Sequence, residues 1–296
     1  MIKDFNDLIE KTKAKGVFKV SVVCADDAEV LKAVKIASDY GFIYPILVGD
    51  KEKIVKISEE VGLDKYDVID EKENPAKAGV MLVRDKKADI LMKGMINTSD
   101  YLRAVLNKDY GLRTGRRLSL LAVYELPQYH KLLYTTDSGV NVAPDLELKR
   151  QILTNTLLAM QGMGFDRPKV AALSSNEKVS EGIQSTIDAN ELVIMEKNGE
   201  IPPCIIEGPI AFDVAFDKKA AEHKNIDSKI SGDVDVLLYP NIESGNILGK
   251  SWLYFNNAKW AGIVLGAKAP IILGSRSDTP EIKVNSIALA CLSSIK

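Results

Sequence analysis

The sequence predicts an α/β protein built mainly on parallel sheets, and three features carry that prediction. Short apolar runs rich in Val and Ile recur along the 296 residues, amphipathic stretches of helix length separate them, and cap residues or glycines mark the joints. Buried parallel strands linked by crossover helices read this way, because a strand covered on both faces is a nearly continuous apolar run.

The elements follow in order. "VFKVSVVCA" (17–25) reads as a strand, Asp26 and Asp27 as cap candidates, and "AEVLKAVKIASDYG" as a helix ending at Gly41. "YPILVGD" and "KEKIVKISEEVG" repeat the unit, "NPAKAGVMLVRDKK" supplies another helix, and "ADILMKG" (88–94) leads into the helix "TSDYLRAVLNKDYG" (98–111). From Arg116 to Asp137 the pattern changes: "RRLSLLAVYELP" and "HKLLYTTDSG" are consecutive strand-like runs, as in an antiparallel pair at a domain junction. Alternation resumes with the helix "DLELKRQILTNTLLAMQGMG", the strand "KVAALSS" (169–175), a helix after Glu177, the strand "VDVLLYP" (234–240), a helix through "GNILGKSWLYF" and the strand "AGIVLG". The strand "APIILG" and the helix "DTPEIKVNSIALACLSSI" close the chain. A chain of this length exceeds what one core usually serves, so two closely packed domains are expected.

Composition narrows the function. With 46% hydrophobic and 27% charged residues the chain buries a core, and 39 basic against 41 acidic side chains leave a formal charge of -2. No electrostatic footprint for nucleic acid is present, so the expected partner is a small molecule. The three cysteines, Cys24, Cys204 and Cys291, are unclustered and sit in apolar contexts, which argues against a disulfide framework or a zinc site. The first residues lack a signal-peptide pattern, and no run reaches the roughly 18 apolar residues of a membrane span. The expectation is a soluble, cytoplasmic protein.

Ligands of open parallel sheets bind outside the carboxyl ends of the strands, which directs attention to three strand-to-helix joints. At the first, "LMKGMINTSDYLRAVL", Lys93 and Gly94 end a strand, Thr98 or Ser99 can cap the next helix, and Arg103 lies one turn further in. Hydroxyls, free N–H groups and two cations could there meet one phosphate; the alternative is an ordinary capped helix with solvated cations. The second, "VLLYPNIESGNILGKSW", nearly spells a phosphate loop, but Ser244 stands where its first glycine is needed and Lys250 falls in helical spacing. It reads as a decoy in which Gly245 and Asn246 can still line a cleft.

The third joint is "PIILGSRSDTPEIKVNSIA". Ser277, Asp278 and Thr279 are cap residues, Pro280 suits a first helical position and Glu281 a first turn. Arg276 does not fit, because the helix dipole repels a cation at this end unless an anion lies between them. Either a phosphate-bearing ligand or an ion pair to Asp278 or Glu281 resolves the misfit. His130 and His223 are remote from all three joints, so a metal centre or a histidine-dependent triad has little support, and "EGPIAFDVAFD" reads as a structural turn followed by Asp213.

Taken together, "KGMINTSDYLRAVL", "YTTDSGVNVAPD", "KVAALSS", "EGPIAFDVAFD", "LYPNIESGNILGK" and "PIILGSRSDTPEIKVNSIA" resemble the phosphate acetyltransferase and phosphate butyryltransferase family over nearly the whole chain. The length and the "LGSRSDTPEIKVNS" wording are closer to the butyryl branch. The resemblance implies a two-domain fold similar to isocitrate and isopropylmalate dehydrogenases, with a cleft between residues 1–134 plus 268–296 and residues 135–267. It also implies reversible acyl transfer between coenzyme A and inorganic phosphate, giving an acyl phosphate by direct attack in a ternary complex.

By the same resemblance Ser275 and Arg276 are the catalytic pair and Arg103 binds substrate; from the joints themselves, Lys93, Thr98, Ser99, Gly245, Asn246 and Asp278 complete the expected binding set. The acetyl branch has a catalytic aspartate where this chain has Ile282. Glu281, Asp278 or the phosphate itself then handles the thiol proton, and Glu281 is preferred. No permanently bound cofactor or metal is implied, and a homo-oligomer is expected. Acetyl-CoA is the alternative acyl donor. A metal- and nicotinamide-dependent decarboxylating dehydrogenase, which the implied fold also hosts, is the alternative reaction.

Overall fold

The computed structural model describes residues 1–274 and 278–294. Its contacts divide the chain into one unit of Ile2–Arg116 with Ala261–Lys296, here the first unit, and a second unit of Arg117–Trp260.

The first unit opens with α1 (Phe5–Lys15), β1 (Phe18–Val23), α2 (Ala28–Asp39), β2 (Ile43–Gly49), α3 (Lys51–Val61) and β3 (Asp67–Asp70). It continues with α4 (Pro75–Arg84), β4 (Ile90–Lys93) and α5 (Thr98–Val105). The second unit holds β5 (Ser119–Glu125), β6 (Leu133–Thr136), α6 (Leu146–Gly162), β7 (Lys169–Leu173), α7 (Gln184–Lys197) and β8 (Ile205–Ile210). It ends with α8 (Phe212–Phe216), α9 (Lys218–His223), β9 (Val236–Leu238) and α10 (Ile242–Phe255). β10 (Lys259–Leu265) leads back to the first unit, which finishes with β11 (Ile271–Ile272) and α11 (Pro280–Ser293).

In the first unit the strand order is β3-β2-β1-β4-β11-β10. All neighbours are parallel except β10 and β11. β1 is central, with Val20 opposite Pro45 on one side and Ile90 on the other. Val20, Val22 and Ile90 are fully buried, as a two-sided parallel strand requires. In the second unit the order is β5-β6-β9-β7-β8, parallel except for the β5–β6 hairpin. That hairpin is the antiparallel pair read in the sequence, but β6 also pairs parallel with β9. The break therefore falls before β5, at Arg116, instead of after it at residue 134, and the return falls at Ala261 instead of residue 268.

Helix starts follow local chemistry. Asp27, Asp50, Asp145 and Asn241 each accept a backbone N–H at the heads of α2, α3, α6 and α10. At α11 the cap is Thr279, whose hydroxyl accepts the Ile282 N–H at 3.3 Å, with Pro280 at the first helical position. From Lys283 to Ser293 every residue of α11 is buried, and the helix packs on α1 and α2. That explains its nearly unbroken "SIALACLS" run.

Several local expectations change. α5 stops at Val105 because Asn107 folds back, its side-chain oxygen accepting the N–H groups of Asp109 and Tyr110. Asn97, not Thr98 or Ser99, holds the cap position of α5, and it makes no side-chain cap bond. β3 and β8 carry little strand signal, their runs being short and interrupted by acids or Gly-Pro. Gly208 and Pro209 thus lie within β8 instead of forming a turn, and the helix expected after Glu177 begins at Gln184.

Candidate functional site

Each unit presents a pocket at the carboxyl end of its parallel strands, where such sheets bind ligands. In the first unit a cavity of about 250 Å³ is lined by Asp27, Glu29 and Val30 of the β1–α2 joint and α2, by Met92 to Met95, by Gly274 and by Lys283. The chain crossing at its floor is tight. Gly94 donates to the Val23 carbonyl at 2.7 Å, Met95 donates to the Cys24 carbonyl at 2.8 Å, and a Cβ on residue 94 would lie 2.2 Å from the Cys24 oxygen. Only glycine permits this approach, and it fixes where Lys93 stands.

Lys93 is 7% exposed, and its ammonium donates to the Gly94 carbonyl at 3.3 Å. Lys283, in the first turn of α11, is 4% exposed, and its ammonium donates to the Asp278 carbonyl. The acids of the cavity are engaged: Asp27 accepts the Val30 N–H at 2.8 Å, and Glu29 pairs with Lys32 at 2.7 Å. The Lys32 bond holds the Glu29 carboxyl below its usual range, with Lys283 the smallest contributor. The pocket can accept an oxyanion through two ammonium groups.

Cys24, at the end of β1, lies beside this floor. Burial first, then the Asp26 charge, push its thiol up to about 11, against the smaller opposing pull of Lys93. Such a thiol is protonated near neutrality and makes a poor nucleophile.

The second unit has a larger cavity of about 710 Å³, lined by residues 143–146 and Lys149 of α6 and its approach, by Gln184, Ser185, Ile187 and Asp188 of α7, and by Pro240 and Asn241 after β9. Lys149 and Asp188 meet at 2.6 Å with side chains 6% and 4% exposed, and Gln184 also donates to Asp188 at 2.8 Å. The approach to α6 is built on Asp137, which is buried and accepts the N–H groups of Gly139, Val140 and Asn141 together with the Asn141 amide at 2.6 Å. Those bonds account for the "TDSGVN" spelling.

The sequence-derived residues divide accordingly. Lys93 lines the first cavity; Thr98, Ser99 and Arg103 do not, and all three are exposed. Arg103 is bound to Asp100 at 2.7 Å one turn away. Asp278 precedes α11, and Glu281 stands exposed in its first turn. Ser275 and Arg276 lie outside the described residues. Gly245 is buried inside α10, where a Cβ would lie 2.4 Å from the Tyr239 ring and 2.9 Å from Ser138, so close packing requires glycine there. Asn246 is exposed and donates to the Ser138 carbonyl at 3.4 Å. Lys250 sits mid-helix in α10, as the decoy reading requires.

Asp213 is in α8 and pairs with Lys224 at 3.0 Å, and His130 pairs with Asp233 at 2.9 Å. Among the described residues no group of three or more His, Cys, Asp or Glu side chains could hold a metal ion. None of their helices is long and apolar enough to cross a membrane. Lys283, Lys149 and Asp188 carry little signal in the sequence beyond being charged residues at inward positions of their helices.

Comparison with known proteins places this geometry. A 4-hydroxythreonine-4-phosphate dehydrogenase from Klebsiella pneumoniae matches with TM-score 0.60 at 14% identity, covering 94% of this chain and all of the other (100%), and so shares the fold alone. A branched-chain phosphotransacylase from Enterococcus faecalis matches with TM-score 0.82 at 30% identity, covering 93% of this chain and 98% of the other. The molecule is of the acyltransferase class on that dehydrogenase-like α/β fold. The phosphate acetyl/butaryl transferase family model matches residues 72–291, and a phosphate butyryltransferase from Clostridium acetobutylicum is 41% identical over 99% of this chain and 98% of its own length. The chain belongs to the phosphate acetyl/butaryl transferase family.

Proposed function

We infer that this enzyme moves a short acyl group between coenzyme A and inorganic phosphate, with butyryl-CoA and phosphate giving butyryl phosphate and coenzyme A. The observation that carries the reading is 41% identity to a phosphate butyryltransferase across almost the full length of both chains. A phosphate oxygen attacks the thioester carbonyl, the C–S bond breaks, and the coenzyme A thiolate leaves and takes up a proton. The high pKa of Cys24 supports direct attack over an acyl-cysteine route.

In this reading Ser275 and Arg276 stabilise the tetrahedral oxyanion, and Glu281, exposed at the head of α11, takes the thiol proton in the reverse direction. Coenzyme A and phosphate enter as substrates, and no cofactor is permanently bound. We place the enzyme in the cytoplasm as a homo-oligomer; Tyr254 and Phe255, 80% and 85% exposed at the end of α10, support a self-association surface. Acetyl-CoA remains the competing acyl donor, because the family spans both chain lengths.

Purified protein incubated with phosphate and acetyl-, propionyl-, butyryl- or isobutyryl-CoA tests the reading by thiol release. Fastest release from a four-carbon donor is the expected outcome. Release from none of them overturns acyl transfer, and fastest release from acetyl-CoA overturns the butyryl assignment. Arg276→Ala lowers the rate by about 10²-fold or more if it stabilises the transition state.

A further inference from the structure

The first cavity carries two cations, Lys93 and Lys283, and two acids, Asp27 and Glu29, so its formal charge is zero. Each of these groups has a partner within the protein. Asp27 accepts the Val30 N–H, Glu29 holds Lys32, Lys93 donates to the Gly94 carbonyl and Lys283 to the Asp278 carbonyl. Charge alone therefore does not decide what fills this space. The rest of the wall is mainly apolar: Val30 and Met92, 6% and 1% exposed, and Met95, 50% exposed.

Met95 differs from its two neighbours. Val30 and Met92 are buried members of α2 and β4, whereas Met95 belongs to the joint after β4 and keeps half of its surface open. Its backbone is nevertheless pinned: its N–H donates to the Cys24 carbonyl at 2.8 Å, the Gly94 N–H to the Val23 carbonyl at 2.7 Å, and the Ile96 N–H to the Gly94 carbonyl at 3.0 Å. A fixed Cα carrying an unbranched thioether makes an adjustable apolar wall, because three rotatable bonds let the side chain fit what packs against it. An apolar group that leaves water for such a wall gains about fourfold in binding for each methylene buried.

Of the groups that acyl transfer brings together, only the acyl tail is both uncharged and apolar. Phosphate and the nucleotide end of coenzyme A are anions, and the arm that carries the thiol is studded with amides. A butyryl tail has three carbons beyond its carbonyl and needs about 90 Å³ if each takes as much room as a water molecule, about 30 Å³. The cavity of about 250 Å³ holds that beside its polar groups. Gly274, which lines the same cavity, immediately precedes Ser275 and Arg276, the expected catalytic pair, in the chain. We propose that Val30, Met92 and Met95 form the pocket for the acyl chain, and that Met95 is a specificity-determining residue that sets the chain length accepted. The assignment rests on the acyl-transfer reading and deepens it.

The test measures thiol release by the full-length protein and its Met95→Ala, Met95→Phe and Met95→Leu variants, with phosphate and acetyl-, butyryl- or hexanoyl-CoA. Met95→Ala deepens the pocket and raises the kcat/KM ratio of hexanoyl-CoA to butyryl-CoA about fourfold or more; Met95→Phe shortens it and raises the ratio of acetyl-CoA to butyryl-CoA by as much. Met95→Leu, which conserves volume, keeps the wild-type profile within about twofold. The KM for phosphate stays within about twofold in all three, and all three melt near the wild-type temperature, because half of the side chain is already in water. Unchanged chain-length ratios in both Met95→Ala and Met95→Phe overturn the proposal. So does a loss of rate that is equal for every donor, or a loss of fold, since either makes Met95 structural. No release from any donor by the wild type overturns the acyl-transfer reading and this assignment with it, whereas an active wild type whose variants keep its profile overturns the assignment alone.

Discussion

Lys149 and Asp188 form an ion pair at 2.6 Å between α6 and α7, with both side chains almost completely buried. Removing one partner leaves an uncompensated charge in the interior. Asp188→Asn is expected to lower stability by about 3–5 kcal/mol. The double variant Lys149→Met/Asp188→Leu recovers most of that loss, since an apolar pair of similar volume avoids desolvating two charges. Urea unfolding of the three proteins measures both effects; equal losses in the single and double variants would contradict the pair's burial.

Gly249 faces Tyr124, and a Cβ there would lie 2.2 Å from the phenol oxygen and 3.1 Å from the ring carbon that bears it. Alanine in a helix interior normally gains about 1 kcal/mol over glycine. Here overpacking of about 1–3 kcal/mol works against it, so Gly249→Ala is destabilising. Removing the phenol oxygen with Tyr124→Phe should relieve most of the penalty, a coupling that thermal melts of the double-mutant cycle read directly.

Cys24 provides a pH readout. With its thiol near 11, only about 0.1% is thiolate at pH 8, against roughly a quarter for an ordinary cysteine of pKa about 8.5. Cys204 and Cys291 are fully buried, so alkylation of the native enzyme reports on Cys24. Its rate should climb about tenfold per pH unit from 8 to 10 without levelling off, whereas the unfolded chain levels off near pH 9. Levelling of the native rate below pH 9 would refute the raised value.

Asp233 gathers Lys131 at 2.7 Å, Lys169 at 2.5 Å and His130 at 2.9 Å. Burial alone would raise its carboxyl, but the bonds from Lys131, Lys169 and His130 outweigh burial and hold it well below the carboxylate range. A depressed folded pKa means that its stabilisation is complete above the unfolded value of about 3.8 and fades as pH falls from there towards the folded value. The melting-temperature gap between wild type and Asp233→Asn should be constant from pH 7 to about 5 and narrow progressively below about 4. A gap that keeps its full pH 7 size down to pH 2 would remove Asp233 as the source.

Much of the architecture was legible from local pattern. The apolar runs became β1, β2, β4, β7 and β9, and Asp27, Asp145, Thr279 and Pro280 sit where cap chemistry puts them. β3 and β8 escaped because four acid-flanked residues and a Gly-Pro step carry little strand signal. At the candidate site, Lys93 was legible as the residue ending a strand at the carboxyl edge. The Arg103 ion pair to Asp100 was legible too, as an acid three residues before it on the same helix face.

The sequence by itself determined the α/β class, most of the caps, and a family wording that covers nearly the whole chain, since all of these are written in neighbouring residues. Only the tertiary structure decided which charges are buried and with whom. Lys149 found Asp188 39 residues away, Gly94 was pressed against Cys24, and Lys283 was enclosed with the Asp278 carbonyl as a hydrogen-bond partner. Desolvation depends on segments distant in the chain closing over a side chain, and no local pattern around Lys149 or Lys283 distinguishes an ammonium held in water from a buried one.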